Sequence, residues 1–492
     1  MTTSAPEKVF LKTGEEYKAA LRDGRDVWYE GERIPDVTAH PLTGPGIEWN
    51  ARIYDMQFEP EHQDVLTFVR EDGARCSTAW LLPRNPDDLR RHREATELIA
   101  WETYALMGRQ LDMLPWTQLG LNALKPLFEK YSPEYAPNLD TYLKYAQENN
   151  VHMAAVVVEP QGNRSRSVSA GADRSSVLRV VKEDSTGIWL SGARAVGSYS
   201  PQAMELMVGS IWNPALEPNE AFWCMAPIAA DGLTMVCRDA TSDPSKSLYD
   251  HPIEAKGEEV DAFVMFDEVF IPKERVFALG ARELNDGDAF NHISRGEHWH
   301  VLNRLCVKAE WYVGLAQMVV NALGLEKVPV IRDQVGRLIT YAQVLRAGVI
   351  AAETQATYTE AGVLLPDVSI IAAVRSYGLE ELPKIVHILQ ELCGQGLVMR
   401  FSEADYANPE IGPQLERYLD HARIDAKNKN LLMNVIWDYT TGSHAGRSAL
   451  FENVNALPAF TLRQRLYTEF DRQPLVDRLC ETFGIEYIEE TR

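Results

Sequence analysis

No run of about 18 apolar residues occurs in the sequence, so a membrane-crossing helix is not expected. Basic residues are in short supply: 49 Lys and Arg stand against 71 Asp and Glu, for a net charge of −22. Such a surface repels phosphate backbones and anionic lipid, which argues against nucleic acid or a membrane as the main partner. Cysteine is scarce and dispersed. Cys76, Cys224, Cys237, Cys306, Cys393 and Cys480 form neither a C-x-x-C pair nor the His/Cys spacing of a zinc site, which leaves buried free thiols. Among 11 histidines only His292, His298 and His300 form a close set, and His298 and His300 cannot share a helix face, so no metal site is expected. A dinucleotide-binding glycine loop is missing too, because Gly394-Gln395-Gly396 has neither the third glycine nor the strand context of G-x-G-x-x-G. The stretch Met1–Glu7 has no basic or apolar signal-peptide region, and the cytoplasm is the expected location.

What is present is an ordinary globular composition, 45% hydrophobic and 24% charged over 492 residues, enough for two or three domains. Thr13-Gly14-Glu15-Glu16 reads as a capped helix start, with the helix running to about Asp23-Gly24. Val27-Trp28-Tyr29 and the residues after Glu30-Gly31 read as a small hairpin. From Asn85-Pro86-Asp87-Asp88 an amphipathic helix is predicted to reach Met107, with more helix to about Asn150. At His152 the pattern changes to short β-branched runs: 153–158, 177–181, 188–190, 204–208, 221–225, 233–237 and 262–266. Runs of this density, separated by Gly, Pro, Asp and Ser, predict an antiparallel β domain of barrel type. After Phe277 the helical period returns, over 298–324, 326–362, 366–394 and 413–441, lengths that suit a four-helix bundle. The expected organisation is a mainly helical N-terminal domain over 1–150, a central β domain over 151–285, and a C-terminal helical bundle with an oligomerisation tail over 286–492. The class is α+β, mainly α.

One helical stretch, Asn303 to Trp311, places Arg304 and Lys308 one turn apart in an apolar segment, with His300 four residues earlier on the same face. Buried cations require an anion. It is either an acidic side chain of the same protein or a ligand with phosphates or a charged ring.

Helix, then β, then bundle is the order of the acyl-CoA dehydrogenase-like flavoprotein fold. The stretch Phe266 to Phe277 resembles the strand that leaves its β domain, with Pro272 ending the strand and Val276-Phe277 beginning the way into the bundle. Further pieces follow in one order: Thr13-Gly14-Glu15-Glu16-Tyr17, Asp36-Val37-Thr38-Ala39-His40-Pro41, Met107-Gly108-Arg109, Glu159-Pro160-Gln161-Gly162-Asn163-Arg164, Ser191-Gly192-Ala193-Arg194, Arg304-Leu305-Cys306-Val307-Lys308, Asn408-Pro409-Glu410-Ile411 and Gly442-Ser443-His444-Ala445-Gly446-Arg447. Together they make the chain resemble the 4-hydroxyphenylacetate 3-monooxygenase family, the oxygenase component of two-component, reduced-flavin-dependent aromatic hydroxylases.

The resemblance implies an enzyme that takes FADH2 from a separate NAD(P)H:flavin reductase and uses molecular oxygen, through a flavin C4a-hydroperoxide, to hydroxylate a phenolic or other aromatic ring. It implies a homotetramer. It also points to Gln161, Gly162, Asn163, Arg164, Gly197 and Ser198 as flavin contacts, with Arg304, Lys308, Gly446 and Arg447 contributing from the bundle and the late loop. For these cations an internal salt bridge is the alternative. Arg109 matches the arginine that holds the substrate hydroxyl, where a fixed cation favours the phenolate. His300 is a candidate proton donor or hydrogen-bond partner at the flavin, or else a core histidine.

Departures from the family pattern bear on the substrate. Met113 stands where relatives acting on 4-hydroxyphenylacetate have a tyrosine, and Ala155 stands where they have a histidine, with His152 close by but out of register. They imply a different aromatic: a bulkier phenol, a heteroaromatic or a biosynthetic intermediate, free or tethered to a carrier protein. Two other functions compete. A 4-hydroxybutyryl-CoA dehydratase-like lyase needs cluster cysteines that are missing between Cys76 and Cys224. An acyl-CoA dehydrogenase-like flavoenzyme needs a glutamate base, for which Glu310 and Glu391 are the helical candidates.

Overall fold

A computed structural model describes residues 8–160, 176–210, 216–420, 423–455 and 457–486. The first helix, Gly14–Ala20, begins where its capping pattern places it: the Thr13 hydroxyl accepts from the Glu16 amide, and the Glu16 carboxylate accepts from the Thr13 amide. It stops short of the expected Asp23-Gly24, and the chain turns at Gly24, whose φ is +84°. Helix Pro86–Glu102 starts at its Asn85 cap but ends five residues before Met107. Tyr104 and Ala105 have φ of +56° and +54°, a left-handed pair that no α-helix can contain.

The strands fall into two sheets. The larger has the order Glu32–Arg33, Asp26–Tyr29, Leu233–Cys237, Asp261–Pro272, Gly187–Ser198, Arg179–Asp184. The smaller runs Val276–Leu279, Phe222–Pro227, Glu205–Gly209, Met153–Val156. The antiparallel barrel expectation is corrected in two respects. Among the described residues neither sheet closes on itself, and two pairings are parallel: Asp26–Tyr29 with Leu233–Cys237, and Met153–Val156 with Glu205–Gly209. Both parallel pairs join strands separated by long connections, which relieves the constraint that a tight hairpin imposes. Val276–Leu279 also differs from expectation, since it remains a strand, and the first bundle-side helix, Gly287–Ile293, begins later.

Three long helices, Arg295–Leu323, Pro329–Thr354 and Val368–Cys393, match three of the predicted segments. The second is shorter than expected because Thr357–Tyr358 and Leu364–Leu365 pair as a hairpin. The fourth segment, 413–441, is two helices, Gly412–Leu419 and Ala426–Thr440, the latter restarted by an Asp425 cap on the Asn428 amide. Shorter helices Ser443–Val454, Ala459–Glu469 and Gln473–Phe483 follow. One apolar core is continuous from Tyr17 and Ile47, through Met153, Val208 and Val264 in the sheets, to Leu305, Leu345 and Leu389. No described helix is long and apolar enough to cross a membrane.

Candidate active site

The left-handed turn at Tyr104-Ala105 delivers the chain into the middle of the molecule. Its carbonyls are held: Tyr439 Oη donates to Tyr104 O at 3.0 Å, and Arg304 Nη1 to Ala105 O at 2.9 Å. Beyond it, one carboxylate oxygen, Glu259 Oε2, accepts both the Gly108 and Arg109 amides at 2.8 Å. Gly108 is required by space, because a Cβ there would lie 2.2 Å from the Phe451 ring.

This clamp fixes the Arg109 side chain between Met113 Sδ, 3.0 Å from Nη1, and the Asn455 amide oxygen, to which Nη2 donates. Its Nε has no hydrogen-bond partner among the described residues. Burial pulls the guanidinium pKa down against the acidic pull of Glu297, Glu259 and Asp261. Arginine nonetheless stays charged, so a half-buried cation with a buried, unused donor stands here.

His152 touches the same segment, its Nε2 3.1 Å from Arg109 O and its ring edge-on to Tyr199 at 4.9 Å. Burial lowers its pKa to about 4, so the ring is neutral. Of the two positions weighed for the family histidine, His152 is therefore the one against Arg109. Ala155, half-buried, pairs with Met207 in the parallel ladder.

His300 lies in a pair that no local pattern announces. Its Nε2 is 2.8 Å from Asp112 Oδ2, which also accepts from Thr96 Oγ1 at 2.9 Å, while Nδ1 has no partner among the described residues. Burial would raise the Asp112 carboxyl, but the His300 charge and the hydrogen bonds from His300 and Thr96 outweigh it and hold the group below the ordinary aspartate range. Asp112 is thus the ionised partner that fixes the proton on Nε2 and leaves Nδ1 available. His300, Asp112, Thr96, Met107, Gln110 and Arg304 line a small internal cavity.

One turn along the same helix, the anticipated cation pair is answered from within the protein. Arg304 donates to both Glu452 oxygens, at 2.6 and 2.7 Å, and Lys308 donates to Glu452 at 3.2 Å and to Ser448 at 2.8 Å. Burial opposes ionisation of Glu452, yet the two cations bring its pKa down to about 2. Arg447 is engaged likewise, by Glu259 at 2.5 Å and Asp261 at 2.8 Å, and Ser198 donates to Asp261 at 2.5 Å. Gly197, next to last in the Gly187–Ser198 strand, is closely packed, since a Cβ there would lie 2.6 Å from Ser200 Oγ, whereas Gly446 is exposed with open space at its Cβ position. Gln161, Gly162, Asn163 and Arg164 lie outside the described residues. The glutamates of the competing dehydrogenase reading are occupied on outer faces, Glu310 by Arg346 at 2.7 Å and Glu391 by His387 at 3.3 Å.

Sequence reading missed Asp112, Glu259, Asp261, Glu452 and Asn455. Only Asp112 had a nearby signal, three residues after Arg109. A reduced flavin and an aromatic substrate would present ring nitrogens, carbonyls and a phenol oxygen, and Arg109 Nε, His300 Nδ1 and the Gln110 amide are buried polar atoms without hydrogen-bond partners at this centre. In donor and acceptor chemistry these residues suit such ligands.

Residues 13–278 match the family model described as 4-hydroxyphenylacetate 3-hydroxylase N terminal, and residues 288–484 match its C-terminal counterpart. The chain is 32% identical to the 4-nitrophenol 4-monooxygenase/4-nitrocatechol 2-monooxygenase oxygenase component of Rhodococcus opacus, over 96% of this chain and 91% of that one. It is 30% identical to the 4-hydroxyphenylacetate 3-monooxygenase oxygenase component of Thermus thermophilus, over 95% and 96%. A crystal structure of the oxygenase component of 4-hydroxyphenylacetate 3-monooxygenase, complexed with FAD and 4-hydroxyphenylacetate, superposes with a TM-score of 0.90 at 29% identity, covering 96% of this chain and 98% of that one. The chain belongs to the 4-hydroxyphenylacetate 3-hydroxylase family.

Proposed function

We propose that this chain is the oxygenase component of a two-component, FADH2-dependent monooxygenase that hydroxylates a phenol, with Arg109 and His300 at the reacting centre. The observation that carries this reading is a pair of buried polar atoms without hydrogen-bond partners among the described residues, Arg109 Nε on the Gly108–Asp112 segment and Nδ1 of His300, which Asp112 holds against that segment. Reduced FAD, when bound, supplies the electrons with which molecular oxygen is split, one atom going to the ring and the other to water.

The chain's own part is to bind, orient and keep dry. Arg109 holds the phenol oxygen and favours the phenolate, the electron-rich form that the oxygen attacks. Held by Asp112, His300 offers Nδ1 as the site where a proton is taken up or returned. His152, neutral and fixed against Arg109 O, supports the backbone behind the guanidinium. Arg304 and Lys308 act at one remove, anchoring Glu452 so that the Ser443–Val454 helix keeps Arg447 and Phe451 in place. Gln161, Gly162, Asn163, Arg164, Gly197 and Ser198 are the proposed flavin contacts, and Arg447 acts behind Ser198 by holding the Asp261 carboxylate to which Ser198 donates.

Met113 gives the pocket a thioether where the family pattern has a phenol, which favours a substrate less polar near the ring than 4-hydroxyphenylacetate, free or carried on a tether. An NAD(P)H:flavin reductase is the proposed partner, a homotetramer the proposed assembly and the cytoplasm the proposed location. The test is a panel of phenols, including 4-nitrophenol, halophenols and 4-hydroxyphenylacetate, with FADH2 generated by a reductase and product counted per oxygen consumed. At least one phenol is expected to give coupled hydroxylation. Failure of the protein to bind FADH2 would reject the reading.

A further inference from the structure

Away from the site, three potential ligand atoms from two separated segments converge. His251 and Glu254 lie in the connection between Leu233–Cys237 and Asp261–Pro272, and Asp438 lies in the Ala426–Thr440 helix. His251 Nδ1 is 3.1 Å from Asp438 Oδ1 and 3.1 Å from Glu254 Oε2, and all three atoms lie within 4.8 Å of one another. The Asp438 side chain is fully buried and that of Glu254 nearly so, while His251 is 22% exposed.

The second oxygen of each carboxylate is already committed. Asp438 Oδ2 accepts the Ile253 and Glu254 amides at 3.0 and 3.1 Å, and Glu254 Oε1 accepts the His444 amide at 3.2 Å. Backbone amides thus aim one oxygen of each acid at the imidazole nitrogen, the kind of outer support that orients metal ligands. A single ring N–H cannot satisfy both oxygens, and two carboxylates forced together repel. The nearby charges are Arg400, whose guanidinium lies 3.9 Å over the Trp437 ring and donates to Asn434, and Asp250, so three carboxylates face one guanidinium.

We infer that His251, Glu254 and Asp438 bind one divalent cation of the Zn2+ or Mn2+ class. Ligand atoms held about 2.1 Å from such an ion lie roughly 3.0–3.4 Å apart at octahedral or tetrahedral angles, close to the 3.1 Å separations found. Glu254 also lines an open surface groove with Ser443, Asp243 and His40, which gives a hydrated ion a way in. The bound ion is structural. It staples the 251–254 loop to the Ala426–Thr440 helix and, through the His444 amide, to the first turn of the Ser443–Val454 helix that carries Arg447 and Glu452. Local pattern did not announce it, because Asp438 lies 187 residues from His251.

The full-length protein, stripped with chelator and titrated calorimetrically with Zn2+, is expected to bind one ion per chain and to unfold at a higher temperature once loaded. His251→Ala changes a partly exposed residue and is expected to fold and to weaken binding at least ~10-fold. Glu254→Gln is expected to act in the same direction. Co2+ substitution supplies a second readout, a visible absorption band that His251→Ala removes. His62→Ala, in the half-exposed group Glu59, Glu61 and His62, is the control expected to leave binding unchanged. No binding by the stripped protein, full affinity in His251→Ala, or loss of binding in His62→Ala would each overturn the inference and leave an internal ion pair around His251.

Discussion

His300 and Arg304 are one turn apart on the same buried helix, yet the two turns are built to different ends. At Arg304 the charges are paired, since Arg304 and Lys308 both meet the Glu452 carboxylate, while Arg304 Nε has no hydrogen-bond partner among the described residues. At His300 the arrangement is open, with Nε2 bound to Asp112 and Nδ1 free. Closed buried charge fixes where helices sit, and open buried polarity leaves a group with work to do on a ligand. The same contrast separates Arg447, saturated by Glu259 and Asp261, from Arg109, whose Nε is unused.

Removing the closed triad is expected to cost the most. Glu452→Ala leaves two buried cations without an anion and should destabilise the fold by about 3–5 kcal/mol, read from chemical denaturation. A stability loss under ~1 kcal/mol would mean that water or another acid serves Arg304 and Lys308. The sign with pH follows: Glu452 is ionised down to about 2 in the fold, so its contribution is complete above the ordinary glutamate range and is lost as pH falls through that range toward the folded value.

At the open end, Arg109→Ala is expected to leave stability nearly intact while lowering coupled hydroxylation ~100-fold or more, with oxygen diverted to hydrogen peroxide. Product per oxygen consumed checks it, and unchanged coupling would remove Arg109 from the reaction. Asp112→Asn is expected to be milder, ~10–100-fold on the turnover rate, because His300 stays in place but loses the carboxylate that fixes its proton. The pH profile of turnover should move as well, which a purely structural role would not cause. Stability supplied by ionised Asp112 is present above the ordinary aspartate range and falls away as pH drops below it, since burial is outweighed and its carboxyl is held low. The smallest effect belongs to a region far from both turns: Thr13→Ala removes the first helix cap and should cost ~1 kcal/mol without touching coupling.

Much of the fold was legible because its signals are local. Thr13 with Glu16, Asn85 with Asp88, and the run Leu233–Cys237 each declare an element within a few residues. Where reading failed, a longer-range feature intervened: the left-handed Tyr104-Ala105 that ends a helix early, or the parallel pairing of Met153–Val156 with Glu205–Gly209. The site divides in the same way. Arg109, His300, Arg304 and Lys308 stood out as polar groups in apolar or family-like surroundings, whereas their partners did not. Asp112 meets His300 across 188 residues, and Glu452 meets Arg304 across 148.

The order of helices and strands, the cations on the Arg295–Leu323 helix and the family were all readable along the chain. Capping, periodicity and composition act over short spans and are written in neighbouring residues. Only the tertiary structure decided which acid faces which base, that Glu452 closes one turn while Asp112 leaves the other open, and that His152 rather than Ala155 stands behind Arg109. Those choices depend on the register of elements packed from distant parts of the chain, where a shift of one residue would bring a different side chain into the same space.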